Sequence, residues 1–300
     1  MAKKEISSAF IQLQNEIIAA LENADGKGKF RKDIWTRTEG GGGITAIIQD
    51  GNILEKGGVN FSEVEGPMHE KVGKMLGISA TEFYATGVSI VIHPKNPFVP
   101  IIHMNIRYFE VNTGEYWFGG GIDLTPHYIV KEQAQYFHKQ LKETCDKTDT
   151  AFYSKFKIWA DNYFFIPHRN ETRGIGGIFF DRLNDESTSY TKEKLFEFVM
   201  NVGKTFAPVY THLMKINAET PFNEDNKRWQ FLRRGRYVEF NLVYDKGTKF
   251  GLETGGRIES ILMSLPAQAS WEYDVIPQKN SPEALTSELL VKDVKWLELP

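Results

Sequence analysis

"GVSIVIHPKNPFVPIIHMNIRYFE", residues 87–110, decides the fold of this chain. Separate strands are predicted near 88–93 and near 101–111, because the prolines between them exclude one continuous strand. Read with period two, the second strand turns three polar side chains to one face: His103, Asn105 and Arg107. An ordinary solvated face would carry Lys, Glu, Thr or Ser. An imidazole, an amide and a guanidinium in a row indicate a face that could hold an anion or a metal ion.

An antiparallel hairpin of these two strands would widen that polar face, because directly opposed residues share a face about 5 Å apart. The register that we predict pairs His93 with His103, Val91 with Asn105 and Ser89 with Arg107. Ser89 and His93 would then join the polar row, which would be backed by an apolar face. The connection between the strands does not itself fix this register.

The remaining pattern predicts an α+β fold. Helices are predicted at 7–23, 129–144, 150–162, 191–214 and 255–264, and strands at 44–49 and 176–183. The stretch "EYWFGGGIDLTP", 115–126, is predicted to be a strand that breaks at its glycines, and 234–254 a hairpin turned by Asp245, Lys246 and Gly247. Strands that arrive in meanders favour a large antiparallel sheet flanked by helices on both faces. Without a linker-like segment, residues 1–300 are expected to form a single domain.

Composition excludes several classes of protein. The net charge of −3 gives no basic field for nucleic acid. A single cysteine, Cys145, excludes an intramolecular disulfide and a cysteine-based zinc site. No apolar run is long enough for a signal peptide or a membrane span, so we expect a cytosolic protein. The P-loop, GxGxxG, HExxH and GxSxG motifs are absent, so no organic cofactor is indicated.

Three further groups of residues are candidates for function. Arg169 and Arg173 beside His168 could grip a carboxylate, although a surface cluster with Glu171 explains them equally well. The glycines of "GGRIES", 255–260, precede a predicted helix and could form an anion site with Arg257, or merely a tight turn. His138 fits a boundary position of its helix better than a ligand position. No role is assigned to His69, His127 or His212.

Long stretches of the chain, from about residue 8 to the C-terminal tail, resemble the oxygen-dependent coproporphyrinogen-III oxidase family. They are "WTRTEGGGGIT", "GGVNFSEVEG", "GVSIVIHPKNPFVPIIHMNIRYFE", "YWFGGGIDLTP", "DNYFFIPHRNETRGIGGIFFDRL", "RRGRYVEFNLVYDKGTKFGLETGGRIESILMSLP" and "WEYD". This chain has "FFDRL" where "FFDDL" is common, so Arg182 replaces an acid and a carboxylate role falls on Asp181 alone.

The resemblance implies an enzyme that converts two propionates of coproporphyrinogen III to vinyl groups, giving protoporphyrinogen IX. O₂ is the oxidant and co-substrate, CO₂ and H₂O₂ are products, and no organic cofactor takes part. The family is a homodimer with 237–272 at its interface. Two other functions stay open: a tetrapyrrole carrier without turnover, and a metal-dependent oxygenase built on histidines.

The resemblance also implies roles for individual residues. Substrate-binding positions are Ser89, Asn105, Ile106, Arg107, Gly255, Gly256 and Arg257. His103 falls at a proton-donor position, and Asp181 could accept hydrogen bonds from pyrrole N–H groups. The positions of possible divalent-metal ligands are His93, His103, His138 and His168.

Overall fold

A seven-stranded antiparallel sheet dominates the computed structural model, which describes residues 1–68, 70, 73–74, 77–253 and 255–299. The strand order is β1-β2-β3-β4-β5-β6-β9. The bounds are β1 Arg31–Thr36, β2 Gly41–Gln49, β3 Leu54–Pro67, β4 Glu82–Pro94, β5 Ile101–Val111, β6 Tyr116–Thr125 and β9 Gly177–Leu183. A separate ribbon pairs β7 Phe165–Ile166 with β8 Glu171–Thr172. The predicted large antiparallel sheet is therefore confirmed.

One face of the sheet is apolar and lies under helices α1 (Lys3–Asp25), α2 (Lys131–Asp146) and α4 (Lys192–Asn217). The buried side chains that its central strands β4 and β5 contribute include Val88, Ile90, Ile92, Met104, Ile106 and Tyr108. A Cβ on Gly203 of α4 would lie 2.4 Å from Leu13 Cδ2 and 3.0 Å from Ile106 Cδ1. Gly203 therefore lets α4, α1 and β5 pack closely, and each buried aliphatic side chain contributes about 1.5–3 kcal/mol.

Helices also cover much of the opposite face. Helices α5 Glu224–Val243 and α7 Ile258–Leu262 lie there, and α6 Lys246–Glu253 packs against both of them. The segment 257–265 contacts four strands in succession: Ser264 O lies 2.8 Å from His93 Nε2 on β4, and Leu265 O accepts from Lys56 on β3. Ser260 then meets Asn60 and Thr45, and Arg257 meets Asp33 on β1. Helices on both faces, as predicted, are confirmed.

The remaining helices close the molecule. Helix α3 (Phe152–Tyr163) packs against β9, with the rings of Phe156 and Phe180 5.4 Å apart. Helix α8 (Pro282–Leu289) and a 3₁₀ turn at Trp296–Glu298 follow near the C-terminus. The ring of Trp296 stacks on His138 of α2 at 5.9 Å, which fixes the tail to the helical layer.

The predicted hairpin at 234–254 is wrong, because this region is helical in α5 and α6. One stripe of buried positions in α5 recurs every three to four residues, as in a helix: Gln230, Arg233, Arg234, Tyr237, Phe240 and Asn241. Most of these side chains are polar, so an analysis of apolar periodicity misses the helical repeat. The β-branched and aromatic residues of this stretch also have high strand propensity, which favours the incorrect prediction of a strand.

The predicted break in 115–126 is also wrong, since β6 runs unbroken through Gly119, Gly120 and Gly121. These glycines make room for side chains from neighbouring strands. A Cβ on Gly119 would lie 2.5 Å from Asp181 Oδ1, and one on Gly121 would lie 3.2 Å from Phe179 Cδ2. The three glycines are therefore explained by the close approach of side chains from neighbouring strands, and not by a turn of the chain. Strands β1 and β3 were not predicted from the sequence.

The hairpin of β4 and β5 is confirmed, but its register differs from the prediction by two residues. Ser89 lies opposite Asn105, and Val91 lies opposite His103. Since side chains alternate with period two, a shift of two residues leaves every side chain on its predicted face. The polar row therefore forms with different neighbours.

We expect Ile106→Ala to lower the free energy of unfolding by roughly 2–5 kcal/mol, because it leaves a cavity in a closely packed core. The measurement is urea denaturation at neutral pH. Ile34→Ala is the matched control, since Ile34 is 74% exposed, and its effect should stay within about 0.5 kcal/mol. Equal losses for the two variants would contradict the assigned faces.

Candidate active site on the polar face of the sheet

The polar face is organised in rows that cross the sheet from strand to strand. One row of successive register partners runs through Asp33, Thr45, Asn60, Ser89, Asn105, Gly121 and Phe179. The next row contains His103 opposite Asp123, and the row on the other side contains Arg107 opposite Gly119. The structure thus brings Ser89, His103, Asn105 and Arg107 onto one face.

His103 is oriented by a buried ion pair. Its Nδ1 lies 2.7 Å from Asp123 Oδ1, and Asp123 Oδ2 accepts from Arg173 NH2 at 2.8 Å. Burial raises the pKa of the Asp123 carboxyl, but Arg173 and His103 outweigh it and hold this pKa below its ordinary value. An ionised carboxylate can only accept, so His103 Nδ1 carries the proton. Its Nε2 is then the atom available to exchange a proton with a ligand.

Arg173 is held through both terminal nitrogens and by three aromatic rings. Its NH1 donates to Asn241 Oδ1 at 2.7 Å. The guanidinium also lies 4.5–4.7 Å from the centres of three rings, those of Phe164, Tyr237 and Phe240. The side chains of Arg173 and Asp123 are each only 2% exposed. Such a desolvated, fully packed pair is a fixed element and does not fit the surface carboxylate grip that was considered for Arg173.

Arg107 forms a second, more accessible ion pair. Its NH2 donates to Asp181 Oδ1 at 2.7 Å, and its NH1 donates to Asn105 Oδ1 at 2.9 Å. Arg107 and Asp181 are 35% and 33% exposed. A guanidinium that is open to solvent beside an amide is suited to bind a carboxylate.

Aromatic rings border the open end of this face. Phe179 of β9 stacks on Tyr163 of α3 at 4.1 Å, and Trp159 meets Phe179 at 5.6 Å. The Tyr163 hydroxyl donates to Asp245 Oδ1 at 2.9 Å, which fixes the junction of α5 and α6 beside these aromatic rings. Flat apolar surface next to charged side chains suits a planar or macrocyclic ligand with acidic substituents.

The segment 255–257 forms a turn that leads directly into helix α7, with Arg257 at the helix N-cap. Gly255 adopts φ +70°, and Gly256 N donates to Gly251 O at 2.8 Å, so this amide is already bonded. Helix α7 begins at Ile258 and has five residues, fewer than the predicted helix 255–264. Arg257 donates to Asp33 Oδ2 at 2.5 Å and to Ser260 Oγ at 3.1 Å.

Comparison with known proteins identifies the family. The family model described as coproporphyrinogen III oxidase matches residues 5–296. The chain is 48% identical over 309 residues to the mitochondrial oxygen-dependent coproporphyrinogen-III oxidase of Homo sapiens, which covers 98% of this chain and 67% of that protein. It is 46% identical over 301 residues to the chloroplastic oxygen-dependent enzyme of Glycine max, covering 95% and 77%. This chain belongs to the coproporphyrinogen III oxidase family. The resemblance noted from the motifs is confirmed.

The expectation of a cytosolic protein is wrong. Relatives of this coproporphyrinogen III oxidase family member carry the words chloroplastic or mitochondrial in their names. The absence of an N-terminal targeting pattern was therefore poor evidence for the compartment. None of the helices in the described part of the chain is long and apolar enough to cross a membrane.

The four histidines suggested by the coproporphyrinogen oxidase family resemblance lie in four different surroundings. His93 is fully buried, with its ring edge against Tyr237 at 5.2 Å. His138 is bonded through Nδ1 to Tyr153 and through Nε2 to Ile175 O, both at 3.0 Å, and burial lowers its pKa to about 3. His168 is exposed and lies between Tyr244 and Glu239.

A metal site does not fit this arrangement. Across the described ranges, no group of three or more His, Cys, Asp or Glu side chains could hold a metal ion. Each of the other three histidines bonds to a carbonyl, a hydroxyl or a carboxylate, and these partners lie in separate parts of the chain. The four histidines therefore do not assemble into one ligand set within the chain. His69, which received no role, lies outside the described residues.

The side chains of Ile106, Asp123 and His127 are all buried. The Ile106 side chain lies in the apolar core and is completely buried, so strand alternation removes it from the polar face. Asp123 was not identified from the sequence, although an acid within the apolar run "GGGIDLT" was a usable signal, because buried carboxylates require partners. His127, also without an assigned role, is buried and bonds through Nδ1 to Pro97 O at 3.0 Å.

We expect Glu239→Gln to lower stability in a pH-dependent way. Burial raises the pKa of Glu239, but three hydrogen bonds outweigh it and lower this pKa from 4.5 to about 2; the donors are Arg169, His168 and Trp271. A depressed folded-state pKa contributes stability that is fully present above pH 4.5 and is lost as the pH falls toward 2. The difference in unfolding free energy between the wild type and the variant, measured with urea, should therefore shrink as the pH falls below about 4.5.

The control for this series is Glu197→Gln, whose side chain is 58% exposed in its pair with Lys194. An exposed pair of this kind contributes about 0–1 kcal/mol. A constant stability difference for Glu239→Gln at every pH would show that its hydrogen bonds do not depend on ionisation.

Proposed function

We propose that this protein converts two propionate side chains of coproporphyrinogen III to vinyl groups on the polar face of the sheet, with O₂ as oxidant. Family membership supports the reaction. One observation supports its location: the His103–Asp123 and Arg107–Asp181 pairs lie on either side of Asn105 on the same face. This combines a group that can move protons with one that can bind a carboxylate.

The reaction balances without any other reactant. For each side chain, –CH₂CH₂COOH and O₂ give –CH=CH₂, CO₂ and H₂O₂. O₂ therefore receives two electrons and two protons, while the carboxyl carbon leaves as CO₂. The electron-rich porphyrinogen is itself the reductant. The protein must hold one propionate in place, promote loss of protons from the pyrrole and the side chain, and supply protons to the peroxide.

His103 is the proton-transfer group in this proposal. Asp123 holds Nδ1–H and stabilises the imidazolium that forms when Nε2 takes a proton. The ring also meets Phe164 edge-on at 6.1 Å, which restricts its rotation. Arg173 acts on His103 only through Asp123 and is a positioning residue.

The substrate carboxylates are assigned to the two accessible arginines. Arg107 lies on β5 and Arg257 contacts Asp33 on β1, and these two strands are four steps apart in the sheet, roughly 19 Å. The two arginines can therefore hold propionates at different edges of one macrocycle. Ser89 and Asn105 lie between them, and the turn at Gly255 and Gly256 positions Arg257. The Asp181 carboxylate accepts hydrogen bonds from pyrrole N–H groups and promotes deprotonation of the pyrrole. Holding the reacting groups in this way can supply about 7–11 kcal/mol of the barrier reduction.

One assay tests this function. Coproporphyrinogen III is mixed with the protein without O₂, air is admitted, and vinyl product, CO₂ and H₂O₂ are quantified with and without EDTA. We expect one H₂O₂ for each vinyl group formed. Stoichiometric binding of the tetrapyrrole without formation of vinyl product, CO₂ or H₂O₂ would instead identify a tetrapyrrole carrier. Complete loss of activity with EDTA would identify the metal-dependent oxygenase.

We expect His103→Gln to lower kcat by roughly 10²–10⁴-fold with little change in KM, because general acid–base catalysis of this kind contributes that much. Arg173→Lys should lower kcat less and shift the pH profile, since one ammonium cannot hold Asp123 and Asn241 together. His212→Gln is the control, because His212 is exposed on α4, away from the polar face. Unchanged turnover in His103→Gln would remove His103 from the mechanism.

We also propose a homodimer whose interface includes 237–272. Exposed apolar side chains are concentrated there among the described residues: Leu242, Val243, Leu252, Ile258 and Trp271 are 42–59% exposed. Large exposed apolar patches are typical of protein interfaces.

The dimer is tested by light scattering, which measures mass in solution. We expect Val243→Glu to shift the mass toward that of one chain, because a charge would be buried at the interface. Ile216→Glu is the matched control: Ile216 is 47% exposed and Val243 is 50% exposed, but Ile216 lies on α4. A wild-type mass of about 34.3 kDa would rule out the dimer.

A further inference from the structure

The two arginines assigned to substrate propionates are both already bound to carboxylates of the protein. Arg107 NH2 donates to Asp181 Oδ1 at 2.7 Å, and Arg257 NH2 donates to Asp33 Oδ2 at 2.5 Å. All four side chains are between 31% and 38% exposed. The same pairing therefore occurs at both sides of the polar face.

The first pair lies flat on the sheet. A Cβ on Gly119 would lie 2.5 Å from Asp181 Oδ1 and 2.7 Å from Arg107 NH2. The glycine thus gives a carboxylate from β9 access to a guanidinium on β5, across β6. Asn105 accepts from the other terminal nitrogen of Arg107 at 2.9 Å. Both terminal nitrogens of Arg107 therefore donate to side chains of the protein itself.

These contacts limit what each group can do before the substrate arrives. A guanidinium nitrogen that donates to Asp181 must release it before it can donate to a propionate in the same direction. An Asp181 oxygen that accepts from Arg107 is a weaker acceptor for a pyrrole N–H. Exposed pairs of this kind are only marginally stable, so a ligand carboxylate of equal charge can replace the internal one.

We propose that Asp181 and Asp33 are internal stand-ins for substrate propionates, which are displaced from Arg107 and Arg257 when those propionates bind. This inference rests on the proposed function and assigns the specificity of the same site. A ring that presents a propionate to Arg107 releases Asp181 toward the pyrrole, so recognition of the side chain and activation of the ring occur together. A vinyl group cannot accept from Arg107, so Asp181 returns to it after the reaction.

The test measures equilibrium binding of coproporphyrin III, the oxidised and unreactive porphyrin with four propionates, by fluorescence quenching. Asp181→Asn and Asp33→Asn should each bind it about two- to fivefold more tightly, because the internal competitor is gone. The tetramethyl ester of the same porphyrin should bind wild type and variants equally. Weaker or unchanged binding of the free acid by both variants would overturn the proposal.

Two controls make the result specific. Asp146→Asn removes a similarly exposed carboxylate from a surface pair on α2, where Asp146 is 31% exposed beside Lys142, and should leave binding unchanged. Asp181→Ser provides a second variant, so that a folding defect of one amide substitution does not decide the outcome; urea denaturation checks both. Tighter binding by Asp146→Asn would show that only the net charge matters and would overturn the proposal.

A double-mutant cycle separates this inference from the proposed function. Arg107→Met should weaken binding of coproporphyrin III in the wild-type background and should abolish the gain from Asp181→Asn. If Arg107→Met weakens binding but Asp181→Asn gives no gain, the stand-in role fails while the propionate site stands. If Arg107→Met leaves binding unchanged, the location of the site itself is wrong.

Discussion

The alternation of side chains in β4 and β5 is the constraint on which the rest of this structure depends. Ile106 and its apolar neighbours must face α1 and α4, because that burial supplies the core. Strand alternation then places His103, Asn105 and Arg107 on the other face. A slip of one residue would expose the core residues and bury the charged ones, so the hydrophobic effect fixes the chemical face of the sheet without any contact to a ligand.

Charges on a face that α5 also covers need partners, because an uncompensated buried charge is costly. Arg173 has them at both terminal nitrogens, which donate to Asn241 and Asp123, and on its planar faces, which lie against three aromatic rings. Two of the rings and the amide come from α5, so docking of that helix completes the surroundings of the pair. Because Asp123 in turn orients His103, the orientation of the proton-transfer group depends on the packing of α5 on the sheet.

Sequence periodicity predicted β5 with its observed bounds, and the faces of β4 correctly, because burial on one side leaves a period-two signal. It could not fix their register, since a shift by two residues preserves both faces. It failed for α5, whose buried stripe contains Arg233 and Arg234 and therefore has little apolar contrast. The Asp123–Arg173 pair joins residues 50 positions apart in the sequence. Only the path of the chain brings such residues together, and no local pattern records it.

The ion pairs on the polar face differ mainly in their exposure to water, and this difference divides their roles. Asp123 and Arg173 are 2% exposed, so separating them would leave two uncompensated charges in a region that excludes solvent. Asp181 and Arg107 are about one-third exposed, so water and an incoming anion can replace either partner at small cost. The same two residue types thus give a rigid support beneath His103 and an exchangeable anion site beside it. Glycine at position 119 keeps the second pair low on the sheet and within reach of a ligand, so the shape of β6, more than the chemistry of the side chains, separates support from recognition.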